Sequence, residues 1–460
     1  MVFSYADPAF GRMTVPFGKL SSFWGSKCKT FLFCCAPPHN INFAACHTIN
    51  GYDNYMNVNA MRTIDKWVGV PLCFLASLLS RIRNIFSPKK IPNTQRTLFI
   101  ELSEMGSAVI VDPAMRKLQR ETGAELFFAI FKDNSKSLEI LNTVPQENIF
   151  KMNSNNLVSL FFSVLNFIGW CRRKKITCVI DLELFSRFTA LLCFVSGART
   201  RIGFASFHDE GLYRGSLVNF PVRYNAHVHI SVNFVSLVNR AMHKFYNPYA
   251  TVPLTEGDLD LVRAVVPPPQ TAAVRGKIKE LYPAWRHEKV LLFNVNASDM
   301  LPQRRWQQEN FANVAQQLLS HYNNIIIVAT GAPSERAYVQ KVVDLTANPR
   351  FINSAGVFKF NELVPLYSVS TFMLTNDSGP AHFASVTPLK VFVLFGPETP
   401  ALYGPLGGNA EAFYLGLPCS PCVSAANHRK TTCETRPCIT TISPVWVGNR
   451  LSEFLKERGE

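Results

Sequence analysis

The sequence predicts an α/β protein with two doubly wound parallel sheets facing each other across a cleft, and three observations carry that prediction. Short apolar runs of strand character alternate with amphipathic helical stretches, the pattern of β-α-β units. The alternation occurs twice, on either side of the proline-rich PPPQ at 267–270. The 460 residues also exceed one ordinary core, at roughly 100 to 200 residues per domain. With 47% apolar and 17% charged residues, the chain has material for buried cores and is not disordered by composition.

The first set begins near residue 93. TLFIEL (97–102) reads as a buried strand, SEMGSA (103–108) as a turn, and VIVDPAMRKLQRETG (109–123) as a helix ending on Gly123. ELFFAIF (125–131) and ITCVIDLEL (176–184) follow as strands, and a helix from Phe185 to Ser196 closes on Gly197. The first domain is expected over 93–255, a linker over 256–285, and the second domain over 286–460. In the second, KVLLFNV (289–295), NIIIVAT (324–330), FMLTND (372–377) and VFVLFG (391–396) are strands. Helices are expected at 307–322 and 334–345. Ligands of such folds sit at the carboxyl ends of the strands, so the loops starting at Ser103, Asn296, Thr330, Asp377 and Gly396 should converge on the cleft.

Ahead of the first domain lies an apolar and basic segment, 61–92, read as membrane-associating. Its run WVGVPLCFLASLL (67–79) is shorter than the ~20 residues of a spanning helix and contains Pro71. The flanking Arg62, Lys66, Arg81, Arg83, Lys89 and Lys90 suit anionic headgroups, so the segment is either an interfacial anchor or a core helix with a solvated basic end. The same two readings apply to the apolar run 157–170, which is followed by Cys171-Arg172-Arg173-Lys174-Lys175. Residues 1–60 show no period and stay unassigned, as a disordered segment or a non-native start. Met56 and Met61 stand just before the first patterned stretch, where the functional chain is expected to begin.

A formal charge of +15 points to an anionic partner. Without an arginine-rich helix, an aromatic-basic RNA motif or zinc-finger spacing, nucleic acid is not expected, which leaves phosphate groups and a membrane surface. Cys73, Cys171, Cys178 and Cys193 stand singly in apolar runs, as reduced buried thiols do, and a cytoplasmic setting fits them.

The most informative stretch is FMLTNDSGPAHFASV (372–386), where a buried strand runs into Asp377-Ser378-Gly379 and a helix starts near Pro380. A capped helix start of this kind either merely ends a loop or seats an anion such as a diphosphate on its free N–H groups. Together with the downstream LKVFVLFGPETPALYGPLG, this stretch resembles the signature of glycosyltransferase family 9, the heptosyltransferases. The likeness extends to NVNASDMLPQRRW, TGAPSERAYVQKVVDL, LFIELSEMGSAVIVDPAM and SGARTRIGF, and covers roughly 96–445.

The resemblance implies the GT-B architecture of two facing Rossmann-like domains, with the acceptor in the first and the nucleotide-sugar donor in the second. It implies an inverting, metal-independent transfer of a sugar such as a heptose from a nucleotide diphosphate sugar to a lipopolysaccharide-type or lipid-linked glycan. The place of work it implies is the cytoplasmic face of the inner membrane, peripherally. It places Ser378, Gly379 and His382 beside the donor diphosphate, Asp377 near the transferred sugar, Arg304 as a phosphate-neutralising cation and Glu335 at the ribose.

In the first loop the family pattern resembles a Gly-Asp pair with the Asp as general base, whereas this chain reads Gly106-Ser107. A serine cannot take the proton of a sugar hydroxyl unaided, so Glu104 is the expected base, with Glu101 as its neighbour on the strand. Glu101, Ser107, Glu183 and Arg187 are candidate acceptor contacts; a strand-end cap and an i, i+4 pair explain Glu183 and Arg187 equally well. His227 and His229 are further weak candidates. Two rival readings remain: a non-catalytic nucleotide-sugar-binding protein, motivated by Ser107, and a membrane-associated assembly protein with a vestigial cleft. Cys419, Cys422, Cys433 and Cys438, with His428 among them, either hold a structural zinc or remain thiols or disulfides. A chain lacking residues 1–55 is expected to keep the implied transferase activity; its loss in an assay of the truncated protein would refute a start near Met56.

Overall fold

The computed structural model describes residues 58–85, 93–184, 186–204, 213–248, 250, 252–424, 427 and 429–459, with the backbone alone for 58–62 and 83–85. The expected start near Met56, the basic residues Lys89 and Lys90, Phe185 and His428 lie outside the described residues.

Two helices come first, α1 (Val58–Trp67) and α2 (Gly69–Ile85). The first sheet then gathers β1 (Arg96–Ile100), β2 (Glu125–Phe131), β3 (Ile149–Met152), β4 (Cys178–Asp181), β5 (Thr200–Phe204) and β6 (Phe220–Val222). Their spatial order is β3-β2-β1-β4-β5-β6, with every pairing parallel. The helices of this lobe are α3 (Ser107–Ile110), α4 (Asp112–Thr122), α5 (Leu157–Arg173), α6 (Arg187–Val195) and α7 (Ile230–Ala241). Parallel strands need helices on both faces, and the cores show it: Ala114, Met115, Leu118, Phe234 and Val238 from α4 and α7 pack on one face. Phe167 and Cys171 from α5, with Leu192 and Cys193 from α6, cover the other.

After α8 (Pro268–Leu281) the design repeats in β7 (Lys289–Asn294), β8 (Ile325–Thr330), β9 (Phe351–Asn353), β10 (Phe372–Asn376), β11 (Lys390–Leu394) and β12 (Ala410–Phe413). The order β12-β11-β10-β7-β8-β9 is that of the first sheet read from its other edge. The strand order reverses between β1 and β4 and again between β7 and β10, so each sheet opens a crevice above these strand ends. The remaining helices are α9 (Gln308–His321), α10 (Arg336–Thr346), α11 (Leu363–Ser368), α12 (Gly379–Ala384), α13 (Pro400–Tyr403), α14 (Pro437–Thr440) and α15 (Pro444–Glu457).

Helix ends fall where the chain's chemistry allows them. Gly123 closes α4 with φ of 67°, a left-handed conformation that a Cβ disfavours. Asn156 caps α5 by accepting from the Ser159 N–H at 2.8 Å, while Ser159 Oγ accepts in return from the Asn156 N–H.

The expected linker is not a free tether. Asp258 forms a 2.5 Å ion pair with Lys117 of α4, with both side chains at most 2% exposed. Arg263 donates to the Ser385 carbonyl at 2.8 Å, and α8 buries Val274 and Ile278 against the second sheet. The linker is therefore fixed to both lobes. Removing one partner of a buried pair leaves a desolvated charge. Asp258→Ala should lower stability by about 3 kcal/mol in chemical denaturation, softened by the second partner of Lys117, Glu121 at 3.0 Å.

Candidate functional site

The loops following β1, β4, β7, β10 and β11 supply the side chains that meet between the lobes. One close approach occurs where Gly106, ahead of α3, faces His382 of α12: a Cβ at Gly106 would stand 2.8 Å from His382 Cδ2. A glycine is required here because the first loop lies directly on the second lobe. His229 adds a second strut, with its Nε2 at 2.8 Å from the Gly404 carbonyl and its Nδ1 at 2.7 Å from Ser231 Oγ. This histidine thus joins the N-terminus of α7 to the second lobe. Tyr403 of α13 packs into the core of the first lobe.

Around this junction, charged side chains alternate in sign. Glu104 pairs with Arg429; Arg429 Nε lies 3.5 Å from Glu398; Arg304 lies 3.7 Å from Glu398 and 3.6 Å from Asp377. Asp377 and Glu398 are 4% and 3% exposed, so their charges depend on the two guanidinium groups. Burial and the adjacent Asp377 push the Glu398 carboxyl well above the usual carboxylate range, with Arg304 acting in the opposite sense. Arg304 Nε and Asp377 Oδ2 are buried without a hydrogen-bond partner, so both retain bonding capacity toward a ligand. His382 is held neutral, its pKa lowered to about 4 chiefly by burial, and its Nδ1 also lacks a partner.

The segment 376–382 is built from a strand end whose polar side chains serve the fold. Asn376 accepts from the Trp306 N–H at 2.9 Å and donates to the Val295 carbonyl at 3.1 Å, which ties the Arg304 loop to β10. The capped start that the sequence suggests, with Asp377 or Ser378 as the cap, has no side-chain cap bond: the Ser378 hydroxyl donates to the Asn376 carbonyl at 3.1 Å. The cap is redirected because the extended Ser378 turns its side chain back along the strand end, leaving the first N–H groups of α12 without a side-chain acceptor.

Glu335 receives the Asn296 Nδ2 donor at 2.7 Å and the Ala332 N–H at 2.6 Å, so its first structural task is to fix the turn into α10. Arg305 turns away from Asp377, donates to the Ala297 carbonyl at 2.8 Å and lies over the Tyr338 ring. In the first lobe, Ser107 Oγ donates to Glu104 at 3.2 Å, which places the expected base and the serine of the altered pair in direct contact. Glu101 is buried behind them, with its carboxyl raised chiefly by burial and then by Glu183. Glu183 organises the loop itself: Leu102 N–H, Ser103 N–H and Ser103 Oγ all donate to its Oε1, at 3.0, 3.1 and 2.8 Å. Arg187 is drawn away from the cleft into a 2.9 Å pair with Asp65 of α1 and makes no pair with Glu183. His227 is exposed, and its backbone N–H donates to Asn225 Oδ1 at 2.9 Å.

Sequence reasoning missed Glu398, Arg429 and Asn296 as site residues. The GPETP stretch after β11 offered a signal for Glu398, a carboxylate at a strand end. Asn296 has a buried Oδ1 without a partner beside Glu335. Arg429 comes from the cysteine-containing loop and has no local signature. An open pocket of about 560 Å³ lies beside it, lined by Met300, Pro302, Gln303, Arg429, Lys430 and Thr431 among others.

The four C-terminal cysteines, open between a structural zinc and thiols or disulfides, form no disulfide and are not arranged as a zinc site. Cys419 is exposed, Cys438 is buried with its thiol pushed up to about 11 by burial, and all four are free. Cys422 Sγ donates to Thr431 Oγ1 at 3.6 Å and Cys433 Sγ accepts from the Arg436 N–H at 3.3 Å, so local turns orient these sulfurs. Among the described residues no group of three or more His, Cys, Asp or Glu side chains is arranged to hold a metal ion.

Two parallel sheets of identical order, joined at their strand ends over a cleft with a cation and a helix start on one wall, define the GT-B class. Residues 171–432 match the model of glycosyltransferase family 9 (heptosyltransferase), and the chain belongs to that family. Lipooligosaccharide heptosyltransferase 2 of Campylobacter jejuni is 26% identical over 172 residues, 37% of this chain and 52% of the relative. The chain thus spans about half the length of that curated relative. The structure of Escherichia coli ADP-heptose lipopolysaccharide heptosyltransferase II superposes with a TM-score of 0.60 at 18% identity, covering 79% of this chain and all of that one. A family 9 glycosyltransferase from Veillonella parvula gives 0.61 at 17% identity, over 80% and 99%.

Gly106→Ala should destabilise the chain by about 1–3 kcal/mol in chemical denaturation, because the first loop or His382 must move to admit the Cβ. An unchanged midpoint would show that the contact tolerates a Cβ.

Proposed function

We propose that this chain is an inverting glycosyltransferase that moves a heptose from a nucleotide diphosphate donor to a lipopolysaccharide-type or lipid-linked glycan. The observation that carries this reading is the half-buried Arg304, its Nε without a hydrogen-bond partner and its Nη1 3.6 Å from Asp377 Oδ2, at the start of a helix whose side-chain cap is turned away. The relatives' ADP-heptose makes ADP the first nucleotide to try.

In this reading Arg304 and the free N–H groups around Ser378 and Gly379 receive the diphosphate, where negative charge develops as the sugar–phosphate bond breaks. The neutral His382 adds a hydrogen-bonding group without a competing charge. Asp377 faces the transferred sugar, and Glu335, fixed by Asn296, meets the ribose hydroxyls. On the opposite wall Glu104 takes the proton of the acceptor hydroxyl as the oxygen attacks the anomeric carbon from the face opposite the diphosphate. Ser107 holds Glu104, while Glu101 and Glu183 support the loop. Arg429 neutralises Glu104 in the absence of ligand and must release it when a diphosphate competes for the guanidinium. No metal is needed where arginine and helix N–H groups supply the positive charge, so turnover should persist in EDTA. The proposed workplace is the cytoplasmic face of the inner membrane.

A second reading, a protein that binds nucleotide sugar without transferring it, draws on the engagement of Glu104 by Arg429. One set of measurements separates the two. Arg304→Ala should weaken ADP binding by calorimetry about tenfold to 100-fold, the worth of a charge-assisted contact of ~1.5–3 kcal/mol. Glu104→Gln should bind ADP as the parent does while losing at least about 100-fold in transfer from ADP-heptose, the scale of general-base catalysis. Full turnover by Glu104→Gln would remove Glu104 from the role. ADP binding by the unmodified chain without any turnover would favour the second reading.

A further inference from the structure

The helices α2 and α5 are amphipathic the wrong way round for a water-facing surface. Against the body of the lobe α2 buries Gly69, Cys73, Ala76, Ser77 and Ser80, a row of small residues at helical spacing. Its large apolar side chains point out: Leu72, Phe74, Leu75, Leu78, Leu79 and Ile82 are 45–61% exposed. On α5, Phe167 and Cys171 enter the core, while Leu157, Val158, Phe161, Phe162 and Leu165 are 48–66% exposed. Single exposed apolar residues are ordinary, but two helices presenting their larger apolar side outward mark an interaction surface.

The two faces belong to one side of the lobe. Helices α5 and α6 share the same face of the first sheet, and α2 lies outside α6, with Cys73 and Ala76 packed on Ala190. Crossover helices run against the strand direction, so the N-terminal ends of α5 and α6 lie at the cleft edge of the sheet. Helix α2 runs the same way, since Cys73 Sγ donates to the Arg187 carbonyl at the start of α6, and Ser80 Oγ accepts from Arg201 near the start of β5. Trp67, 72% exposed, therefore stands near the cleft edge, and Arg81, Arg172, Arg173 and Lys175 gather toward the far end.

Charge complementarity selects the occupant. No acidic residue occurs between Lys66 and Glu101 or between Glu147 and Asp181. The nearest carboxylate, Asp65, is paired with Arg187 at 2.9 Å. An apolar face with basic ends and no acids fits an anionic lipid surface. Neither helix spans it: among the described residues no helix is long and apolar enough to cross a membrane.

We propose that the outer faces of α2 and α5 seat the first lobe on an anionic lipid bilayer, with the side chains of Trp67, Phe74, Leu78, Phe161 and Phe162 entering the headgroup boundary. Its purpose rests on the transfer reading, because the seat holds the acceptor lobe against the surface that carries a lipid-linked acceptor. The binding itself requires neither donor nor acceptor.

The test is cosedimentation of the full chain with vesicles of phosphatidylethanolamine and phosphatidylglycerol, against vesicles of phosphatidylcholine alone. Binding should favour the anionic vesicles and fall in 0.5 M salt as the basic ends are screened. Phe74→Asp with Leu78→Asp, and separately Phe161→Asp with Phe162→Asp, should each weaken binding about tenfold or more. Their melting temperatures should stay near the parent's, since these side chains are at least half exposed. Arg304→Ala, altered only in the cleft, should bind vesicles as the parent does, so a failed transfer reading leaves this result intact. Undiminished binding by both outer-face variants would overturn the proposal. It would equally be overturned if the lipid-free chain sediments as a dimer that these variants dissociate, because a second copy would then cover the face.

Discussion

The cleft rests on a row in which every carboxyl has a guanidinium beside it. Asp377 and Glu398 are nearly dry, and burial with the adjacent Asp377 raises the Glu398 carboxyl even with Arg304 acting against them. Arg304 stands between them, and Arg429 links Glu398 to Glu104 of the opposite lobe. The row therefore does two jobs: it permits carboxylates inside a cleft, and it joins the first loop of one sheet to the last strand ends of the other. The contacts are long at Arg304, 3.6 and 3.7 Å, which leaves this cation less fully engaged than the short pairs of the lobe surfaces. An anionic ligand would compete with carboxylates for guanidinium groups already in position, a smaller reorganisation than building a cation site from water.

Much of the fold could be read from the chain because its central strands are buried on both faces. Residues 97–102, 125–131, 289–295, 324–330 and 391–396 are near-continuous apolar runs, which parallel strands between two helix layers require. The strands left unread, β3, β6, β9 and β12, are three or four residues long, too short to establish a period. The strand β5 escaped because TRIGF carries an arginine into the interior. Arg201 is 3% exposed, a place it can occupy only because the Leu217 and Ala198 carbonyls accept from it. One acceptor lies three residues before the arginine and the other 16 residues after it, and both are main-chain carbonyls that no side-chain pattern announces.

The site was legible where a residue belongs to a strand end and illegible where it arrives from elsewhere. Asp377, Ser378, Gly379 and His382 follow one buried strand, and the loop geometry brings them to the cleft with Arg304. Glu398 had the same kind of position, yet a carboxylate in GPETP is equally compatible with a surface turn. Arg429 lies in a loop otherwise known by its cysteines, whose spacing suggested a metal site. In the fold that loop delivers a cation to the carboxylates of both lobes. For Arg187 the sequence offered a cleft contact, but Asp65 of α1 captures it, and nothing within 183–187 could have announced a partner more than a hundred residues upstream.

The departure at Ser107 acquires a physical meaning from this arrangement. An aspartate at 107 would stand beside Glu104 and above the buried Glu101, three carboxylates around one turn with Glu183 already holding the backbone. Like charges at such distances raise one another's pKa, and burial adds to the penalty, as the raised carboxyl of Glu101 shows. A serine relieves the repulsion and donates a hydrogen bond to Glu104 at 3.2 Å, which fixes its direction. In the proposed transfer a carboxylate at 104 would keep a base on this loop in place of one at 107, with the serine supporting the glutamate and Arg429 pairing with it.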